Sequence, residues 1–257
     1  MTTNADVVRA FEYARWERAA AHYSDAFADA TMRFVPALLD AAAVATDKRV
    51  RDVACGPGCA PAAAARPKVR GLDFSPAAAF ARTRHPDLEF DQGDAPYADA
   101  GFDCVVSNFG VHHFPDPIDS LSEARRVLAP GGRVALGAWA TPEENVAWRL
   151  VFDAVGVHGD LRAAKSEACM HALAAASFAD PRDEPQRDVW PLSRPEERIA
   201  RLQQGTARIA VNRGSGPDGT SQDCCGCRPP GRAVPKGRPH PHANCRAGCI
   251  GGKGPMP

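Results

Sequence analysis

A glycine-rich turn and a downstream aspartate carry the first chemistry that the sequence suggests. Residues 50–58 read Val-Arg-Asp-Val-Ala-Cys-Gly-Pro-Gly, the pattern of a strand that runs into a tight turn. Gly56 and Gly58 have no Cβ, so a ligand can approach the backbone, and a following helix would present unpaired N–H groups. Asp73 comes 21 residues after Asp52, where a carboxylate can accept both hydrogen bonds of a ribose diol. Together the two features predict a nucleotide-binding site.

Each feature has a second interpretation. Asp73 could stand in a solvated turn or cap the helix expected from Pro76, because Asp and Ser both cap helices well. Its position after a strand favours ribose binding. The glycine turn could bind a nicotinamide dinucleotide, but that fingerprint needs a third glycine, and Pro61 occupies its position. The turn therefore favours a nucleotide other than a nicotinamide dinucleotide.

Strand and helix signals alternate around these residues and predict the elements that position them. Two amphipathic helices are expected first, over residues 5–21 and about 27–39. The β-like runs then lie at 50–53, 69–72, 88–90, 102–107 and 134–139, with helices at 59–66, 76–84 and 117–128 and a turn at 129–132. This alternation predicts right-handed crossovers and a doubly wound, mostly parallel α/β sheet.

In this order the motifs resemble those of class I S-adenosylmethionine-dependent methyltransferases of the small-molecule type, close to methyltransferase domain 11. The resemblance covers about residues 10–208 and rests on residues 52–58, 73, 92–95, 102–114 and 128–132. It implies a Rossmann-like domain with a helical N-terminal cap, S-adenosylmethionine as cofactor, and transfer of a methyl group to an O, N or C atom of a small-molecule acceptor.

The resemblance also implies a set of cofactor-binding residues. The glycine turn would hold the methionine end of the cofactor, Asp73 the ribose and Asp94 the adenine. Ala54 stands where the family usually has glycine, a change that is tolerated if its φ is negative. Tyr23 lies in the N-terminal cap, which either closes over the donor or packs as ordinary aromatic structure. The full expected set is Asp52, Ala54, Gly56, Gly58, Asp73, Phe74, Asp94, Ala95, Asn108, Phe109 and Tyr23.

Two histidines, His112 and His113, follow the fourth strand, where a parallel sheet presents its ligand-facing edge. They are the candidate catalytic residues, as a general base toward the acceptor. The alternative is a structural role, in which a histidine only hydrogen-bonds a neighbouring segment. Methyl transfer from a sulfonium gains chiefly from in-line positioning, so both interpretations stay open.

Residues 211–257 differ in composition from the rest of the chain. They contain 10 Gly, 8 Pro and 5 of the 9 Cys and carry a net charge of +5, against −5 for residues 1–210. Few of these side chains could bury apolar surface, so we predict a disordered tail and no closing C-terminal strand. Cys224, Cys227 and His240 have zinc-like spacing, but the segment between them offers no finger core, and no metal site is expected.

The predicted division is therefore a cap at 1–45, a methyltransferase domain at 46–210 and a tail at 211–257. The codons that encode residues 240–245 read as a more apolar, β-compatible segment in a neighbouring frame. We hypothesise that the tail is a frame-shifted version of the missing strand, which the coding DNA would test. An alternative function is then a catalytically impaired donor-binding relic, and a less favoured one is an NAD-dependent oxidoreductase.

Composition limits the remaining function classes. The 257 residues contain 31 basic and 31 acidic side chains, so the electrostatic footprint of a nucleic-acid binder is not expected. The longest stretch without a charged side chain is 13 residues, at 53–65, well below the ~20 apolar residues of a membrane span. The N-terminal residues lack the apolar core of a secretory signal, which predicts a cytoplasmic protein.

Overall fold

A computed structural model describes residues 4–26, 28–58, 68–93, 97–140, 144–145, 166–189 and 242–252. The helices are α1 (Asn4–Ala26), α2 (Ala28–Met32), α3 (Val35–Ala41), α4 (Ala77–Arg84), α5 (Pro117–Val127) and α6 (Ser166–Ala175), with a 3₁₀ helix at Val111–His113. The strands are β1 (Arg49–Val53), β2 (Lys68–Asp73), β3 (Glu89–Gln92), β4 (Phe102–Asn108), β5 (Leu128–Trp139), β6 (Ala179–Val189) and β7 (His242–Gly252).

The strands form one seven-stranded sheet with the order β3-β2-β1-β4-β5-β7-β6. Strands β1 to β5 pair in parallel, whereas β7 is antiparallel to both β5 and β6. The strand order reverses between β1 and β4, and ligands of such sheets bind at the carboxyl ends of the strands at this switch point. The predicted doubly wound, mostly parallel α/β fold is confirmed.

The core lies on both faces of the central strands. Val50 of β1 and Val106 of β4 are buried against Leu38 of α3 on one face. On the other face, Val105 of β4 packs with Leu121 of α5 in a cluster that extends to α6. Because β1 and β4 are covered on both sides, their central residues are buried, including the charged side chains of Arg51 and Asp52 in β1.

Helix α5 shows how local sequence sets an element's boundary. The carboxylate of Asp116 accepts hydrogen bonds from the backbone N–H groups of Ile118 (2.9 Å) and Asp119 (3.0 Å). Pro117 follows the cap, where its missing N–H costs nothing. The helix ends at Val127, one residue from the predicted end, and α4 likewise occupies the predicted segment. The helix predicted at 59–66 lies outside the described residues.

The predicted turn at residues 129–132 lies inside β5 rather than before it. Leu128 pairs with Phe102, and Arg133 pairs with Cys104, so four residues of β5 bulge out opposite Asp103. Gly131 supplies the left-handed φ of 77° that the bulge requires. The glycines therefore shape an irregularity of the strand, and β5 is longer than expected.

The closing strand differs from the expectation. The sequence predicted none, but residues 242–252 form β7, which fills the position between β5 and β6. A central strand is held by main-chain hydrogen bonds to two neighbours, which form whatever its side chains are. Side-chain pattern alone therefore missed it. The division at 45 and 210 and the frame-shift hypothesis stay predictions.

Candidate functional site

The turn that follows β1, residues 54–58 (the β1 turn), is built from left-handed backbone. Its residues with positive φ are Ala54 (56°), Gly56 (54°) and Gly58 (84°). A negative φ at Ala54, the condition under which alanine would be tolerated there without strain, is not met. A left-handed alanine costs roughly 1–2 kcal/mol relative to ordinary backbone, so the turn holds strain at the edge of the site.

The two glycines of the β1 turn serve different purposes. A Cβ at Gly58 would lie 2.9 Å from Cζ of Phe90 and 3.0 Å from Cβ of Ala81, so this glycine allows close packing on α4. A Cβ at Gly56 would meet no described heavy atom within 4 Å. Within the part of the chain that the structure describes, the backbone at Gly56 therefore faces open space, where a ligand can approach.

Asp73, at the end of β2, links the β1 turn to this neighbouring strand by a hydrogen bond. One carboxylate oxygen accepts a hydrogen bond from Gly56 N (2.8 Å), and the other accepts bonds from Ser75 N (2.9 Å) and Ser75 Oγ (2.7 Å). Burial raises the pKa of Asp73, and these bonds together with the charge of His113 oppose that rise. The alternative capping role falls to Ser75, whose Oγ accepts from Ala77 N at the start of α4.

Asp52, in β1, contrasts with Asp73. Its side chain is 1% exposed, and neither carboxylate oxygen has a hydrogen-bond partner among the described residues. Burial, and after it the charge of Asp73, raises the pKa of Asp52 well above its usual range, with Arg51 opposing. A buried carboxylate without partners is costly, and a cationic ligand group would compensate for that cost.

The turn that follows β4, residues 109–113 (the β4 turn), lies beside the β1 turn, since β4 pairs with β1. Phe109 has a φ of 59°, and its ring stacks on Trp139 with centroids 4.1 Å apart. Asn108 donates from Nδ2 to Thr31 O (3.2 Å), while its Oδ1 has no partner among the described residues. A Cβ at Gly110 would lie 2.6 Å from Cβ of Ala54, so the two turns touch.

His113 at the end of the β4 turn reaches an acidic residue that sequence reasoning missed. Its Nδ1 lies 2.9 Å from Oε2 of Glu12 in α1. One signal could have found Glu12: it is a carboxylate inside the apolar stripe of α1, four residues after Val8 and four before Trp16. Burial, with the charges of His113 and Arg15, lowers the pKa of His112 well below its usual range.

The other predicted residues are placed as follows. The Tyr23 hydroxyl donates to Thr31 Oγ1 (3.1 Å), and its ring lies 5.4 Å from that of Trp16, inside the N-terminal helices. Phe74 contacts Tyr13 edge-on, with ring centroids 6.3 Å apart. Asp94 and Ala95 lie outside the described residues, as do Cys224, Cys227 and His240. The structure thus brings together Asp52, Ala54, Gly56, Asp73, Asn108, Phe109 and His113 at the carboxyl edge of β1, β2 and β4.

Comparison with protein families decides between the nucleotide-binding interpretations. Residues 51–136 match the family model described as a methyltransferase domain. The predicted resemblance is confirmed for this domain. The matched segment runs from β1 into β5 and includes both turns, so the match and the geometry support S-adenosylmethionine as the cofactor of the site.

Curated relatives agree with the domain match. A demethylmenaquinone methyltransferase from Renibacterium salmoninarum is 36% identical over 118 residues, which is 44% of this chain and 50% of that protein. A protein of the same name from Beutenbergia cavernae is 39% identical over 112 residues, 41% of this chain and 47% of its own length. The chain thus spans about half the length of the curated relatives that it matches.

Solved structures share the fold. The YcgJ protein from Bacillus subtilis has a TM-score of 0.56 at 18% identity and covers 88% of this chain and 99% of its own. The [4+2]-cyclase SpnF has a TM-score of 0.54 at 18% identity, over 88% of this chain and 81% of its own.

Among the described residues, no helix has both the length and the apolar character that a membrane span needs.

Proposed function

We propose that this protein is an S-adenosylmethionine-dependent methyltransferase that acts on a small-molecule acceptor. The observation that carries the proposal is the combination of the open backbone at Gly56 with two buried aspartates. One of these aspartates is hydrogen-bonded within the protein, and the other is not hydrogen-bonded to any described residue. Asp73 braces the β1 turn through the Gly56 amide, and Asp52 presents a carboxylate without hydrogen-bond partners among the described residues. The names of the curated relatives support a small-molecule acceptor.

The residues of the site fit the donor chemically. Asp52 would take the α-ammonium group, because that cation compensates for a buried carboxylate. Asp73 would accept from the ribose hydroxyls, since an ionised carboxylate has about four lone-pair sites and the described bonds use three of them. When bound, S-adenosylmethionine supplies the methyl group of its sulfonium and leaves as S-adenosylhomocysteine.

The β4 turn would border the transfer side of the site. Phe109 is held by Trp139 on one side and by Phe34 on the other, with ring centroids 4.1 and 5.8 Å away. A wall fixed in this way can position an acceptor, and in-line positioning supplies much of the acceleration that methyl transfer needs. Asn108 Oδ1, buried and without a described partner, is available to accept a hydrogen bond.

Isothermal titration and product analysis test the proposal. The full-length protein should bind S-adenosylhomocysteine and S-adenosylmethionine, not NAD, and should convert S-adenosylmethionine to S-adenosylhomocysteine when a methyl acceptor is present. Binding without turnover over a broad acceptor panel would favour the donor-binding relic. NAD binding in the absence of S-adenosylhomocysteine binding would restore the oxidoreductase and reject the proposal.

A further inference from the structure

A buried cation in the middle of β1 is left unexplained by the proposed donor contacts. Arg51 is 2% exposed, and its guanidinium carbon lies 3.3 Å from the ring centroid of Tyr97 and 5.4 Å from that of Phe102. Neither terminal nitrogen has a hydrogen-bond partner among the described residues. An apolar side chain would avoid the cost of burying this charge, so stability alone does not account for the arginine.

Tyr97, which follows β3, is the group that this cation holds. The face of an aromatic ring attracts a guanidinium, most strongly where water is excluded. The Tyr97 hydroxyl donates to Oδ2 of Asp91 in β3, and Arg70 Nε lies 3.0 Å from the same carboxylate oxygen. Burial, and after it the bond to Asp91, raises the pKa of Tyr97 to about 12, so the hydroxyl keeps its proton and remains the donor. From α5, Arg126 Nη2 donates to Tyr97 O (2.7 Å), so the ring, hydroxyl and backbone of Tyr97 are all held.

These contacts join two points of the chain on either side of the end of β3. We call the Arg51 guanidinium, the Tyr97 side chain and the Asp91 carboxylate the Tyr97 clasp. Asp91 lies in β3, and Tyr97 comes six residues later, so the clasp fixes both ends of a short segment. A segment with fixed ends has less conformational freedom to lose when a ligand binds to it.

Gly93 lies inside this segment and extends the open edge of the site. Its φ is 91°, its N–H donates to Asp73 O (3.0 Å), and a Cβ built there would meet no described heavy atom within 4 Å. Because β1, β2 and β3 are neighbours in the sheet, Gly56, Asp73 and Gly93 follow one another along its carboxyl edge. A donor with its amino-acid end at the β1 turn and its sugar at Asp73 would therefore direct its base toward Gly93.

We propose that Arg51 and Tyr97 are positioning residues for the purine base of the donor. This inference rests on the proposed function. The Tyr97 clasp acts through the backbone at Gly93, which it holds in the conformation that the base contacts. Because this backbone is ordered before the donor arrives, less conformational entropy is lost on binding. An apolar residue in place of Arg51 would let the chain fold equally well and bind the donor more weakly.

Two variants of the full-length protein test the clasp. Arg51→Met keeps the length of the side chain and removes the cation, so stability in urea should equal or exceed that of the wild type. Its affinity for S-adenosylhomocysteine should fall about tenfold. Tyr97→Phe keeps the ring over Arg51 and removes only the bond to Asp91, so the affinity should fall about fivefold. Arg133→Met, at an exposed position of β5, is the matched control and should leave stability and affinity unchanged.

Three ligands locate the effect along the donor. They are S-adenosylhomocysteine, 5′-methylthioadenosine, which lacks the amino-acid end, and S-inosylhomocysteine, which carries an oxo group in place of the adenine amine. In each variant the affinities for the first two should fall by the same factor, because both contain adenosine. The wild-type preference for S-adenosylhomocysteine over S-inosylhomocysteine should shrink, because a less fixed backbone discriminates less between the two purine edges. A merely structural role would lower all three affinities equally and leave that preference unchanged.

The outcomes separate this inference from the proposed function. Unchanged affinities in both variants, or equal losses for all three ligands, overturn the positioning role, and the proposed function stands. A wild-type protein without preference between the two purines has the same meaning. If Arg51→Met does not fold, Tyr97→Phe decides, because it removes a single oxygen atom. A wild-type protein that binds none of the three ligands rejects the proposed function and, with it, this inference.

Discussion

The β1 turn and the β4 turn leave adjacent strands at the same edge of the sheet, and each contains a left-handed residue that is not glycine. The φ angles are nearly equal, at 56° for Ala54 and 59° for Phe109. Their supports differ. The β1 turn is braced by Asp73 at the end of the neighbouring strand, whereas the β4 turn is held by the N-terminal helices through Glu12, Thr31 and Phe34.

The two turns therefore show two ways of assembling a binding site, one from contacts near in sequence and one from contacts distant in sequence. Asp73 lies 17 residues from Gly56, so the proposed cofactor side is assembled from β1 and β2, two strands that follow each other in the chain. The proposed acceptor side depends on contacts between residues 77 and 101 positions apart, which join the N-terminal helices to the end of β4 and the β4 turn. The proposed cofactor side thus depends on contacts within β1 and β2, and the proposed acceptor side on contacts with the cap.

Phe109→Ala should have the largest effect, because it removes the packing that supports the β4 turn. The ring is 5% exposed between Trp139 and Phe34, and truncating a buried phenylalanine typically costs about 3–5 kcal/mol of folding free energy. Urea denaturation measures the loss. Phe80→Ala, at a position 41% exposed, is the control and should change stability by no more than about 0.5 kcal/mol. Equal effects would mean that packing does not support the β4 turn.

Asp73→Ala should break the β1 turn instead. It removes the acceptor for Gly56 N and Ser75 and the proposed partner of the ribose, and we expect donor affinity to fall by about 1–3 kcal/mol. Titration with S-adenosylhomocysteine measures the change. Asp87→Ala removes an exposed carboxylate before β3 and is the matched control. Unchanged affinity in a folded Asp73→Ala protein would remove Asp73 from the site.

The pH dependence of donor binding tests the role of Asp52 on the proposed cofactor side. A ligand ammonium group favours the ionised carboxylate, so binding should lower the raised pKa of Asp52 and release a proton. Donor affinity should therefore increase as pH rises toward the pKa that Asp52 has in the free protein, and level off above it. Titrations in buffers of different ionisation enthalpy measure the protons released.

Two controls isolate Asp52 in that experiment. Asp52→Asn keeps the shape of the side chain but cannot ionise, so the variant protein should release no proton when the donor binds. The ligand 5′-methylthioadenosine lacks the α-ammonium group and should release no proton even from the wild-type protein. Equal proton release by both ligands would show that Asp52 does not face the amino-acid end of the donor.

Sequence patterns predicted the parallel sheet and the turn after β1 because both depend on local signals. Strands β1 to β4 are marked by short β-like segments between helix and turn signals, and the β1 turn by its glycines. The sign of φ at Ala54 stayed open, since backbone conformation at a turn depends on what surrounds it. Strand β7 was missed because its sequence carries no β pattern, and Glu12 because its partner His113 is distant in sequence.

Ala54→Gly should cause the smallest change of all, and it should stabilise the folded protein. Glycine adopts the left-handed φ of 56° without strain, and the gain should exceed its larger entropy loss on folding, for a net stabilisation of about 0.5–1 kcal/mol. Ala79→Gly, at an exposed position of α4, is the matched control and should destabilise by about 1 kcal/mol. If both variants are destabilised in urea, the β1 turn stores no strain at Ala54, and the two turns differ in backbone energy as well as in support.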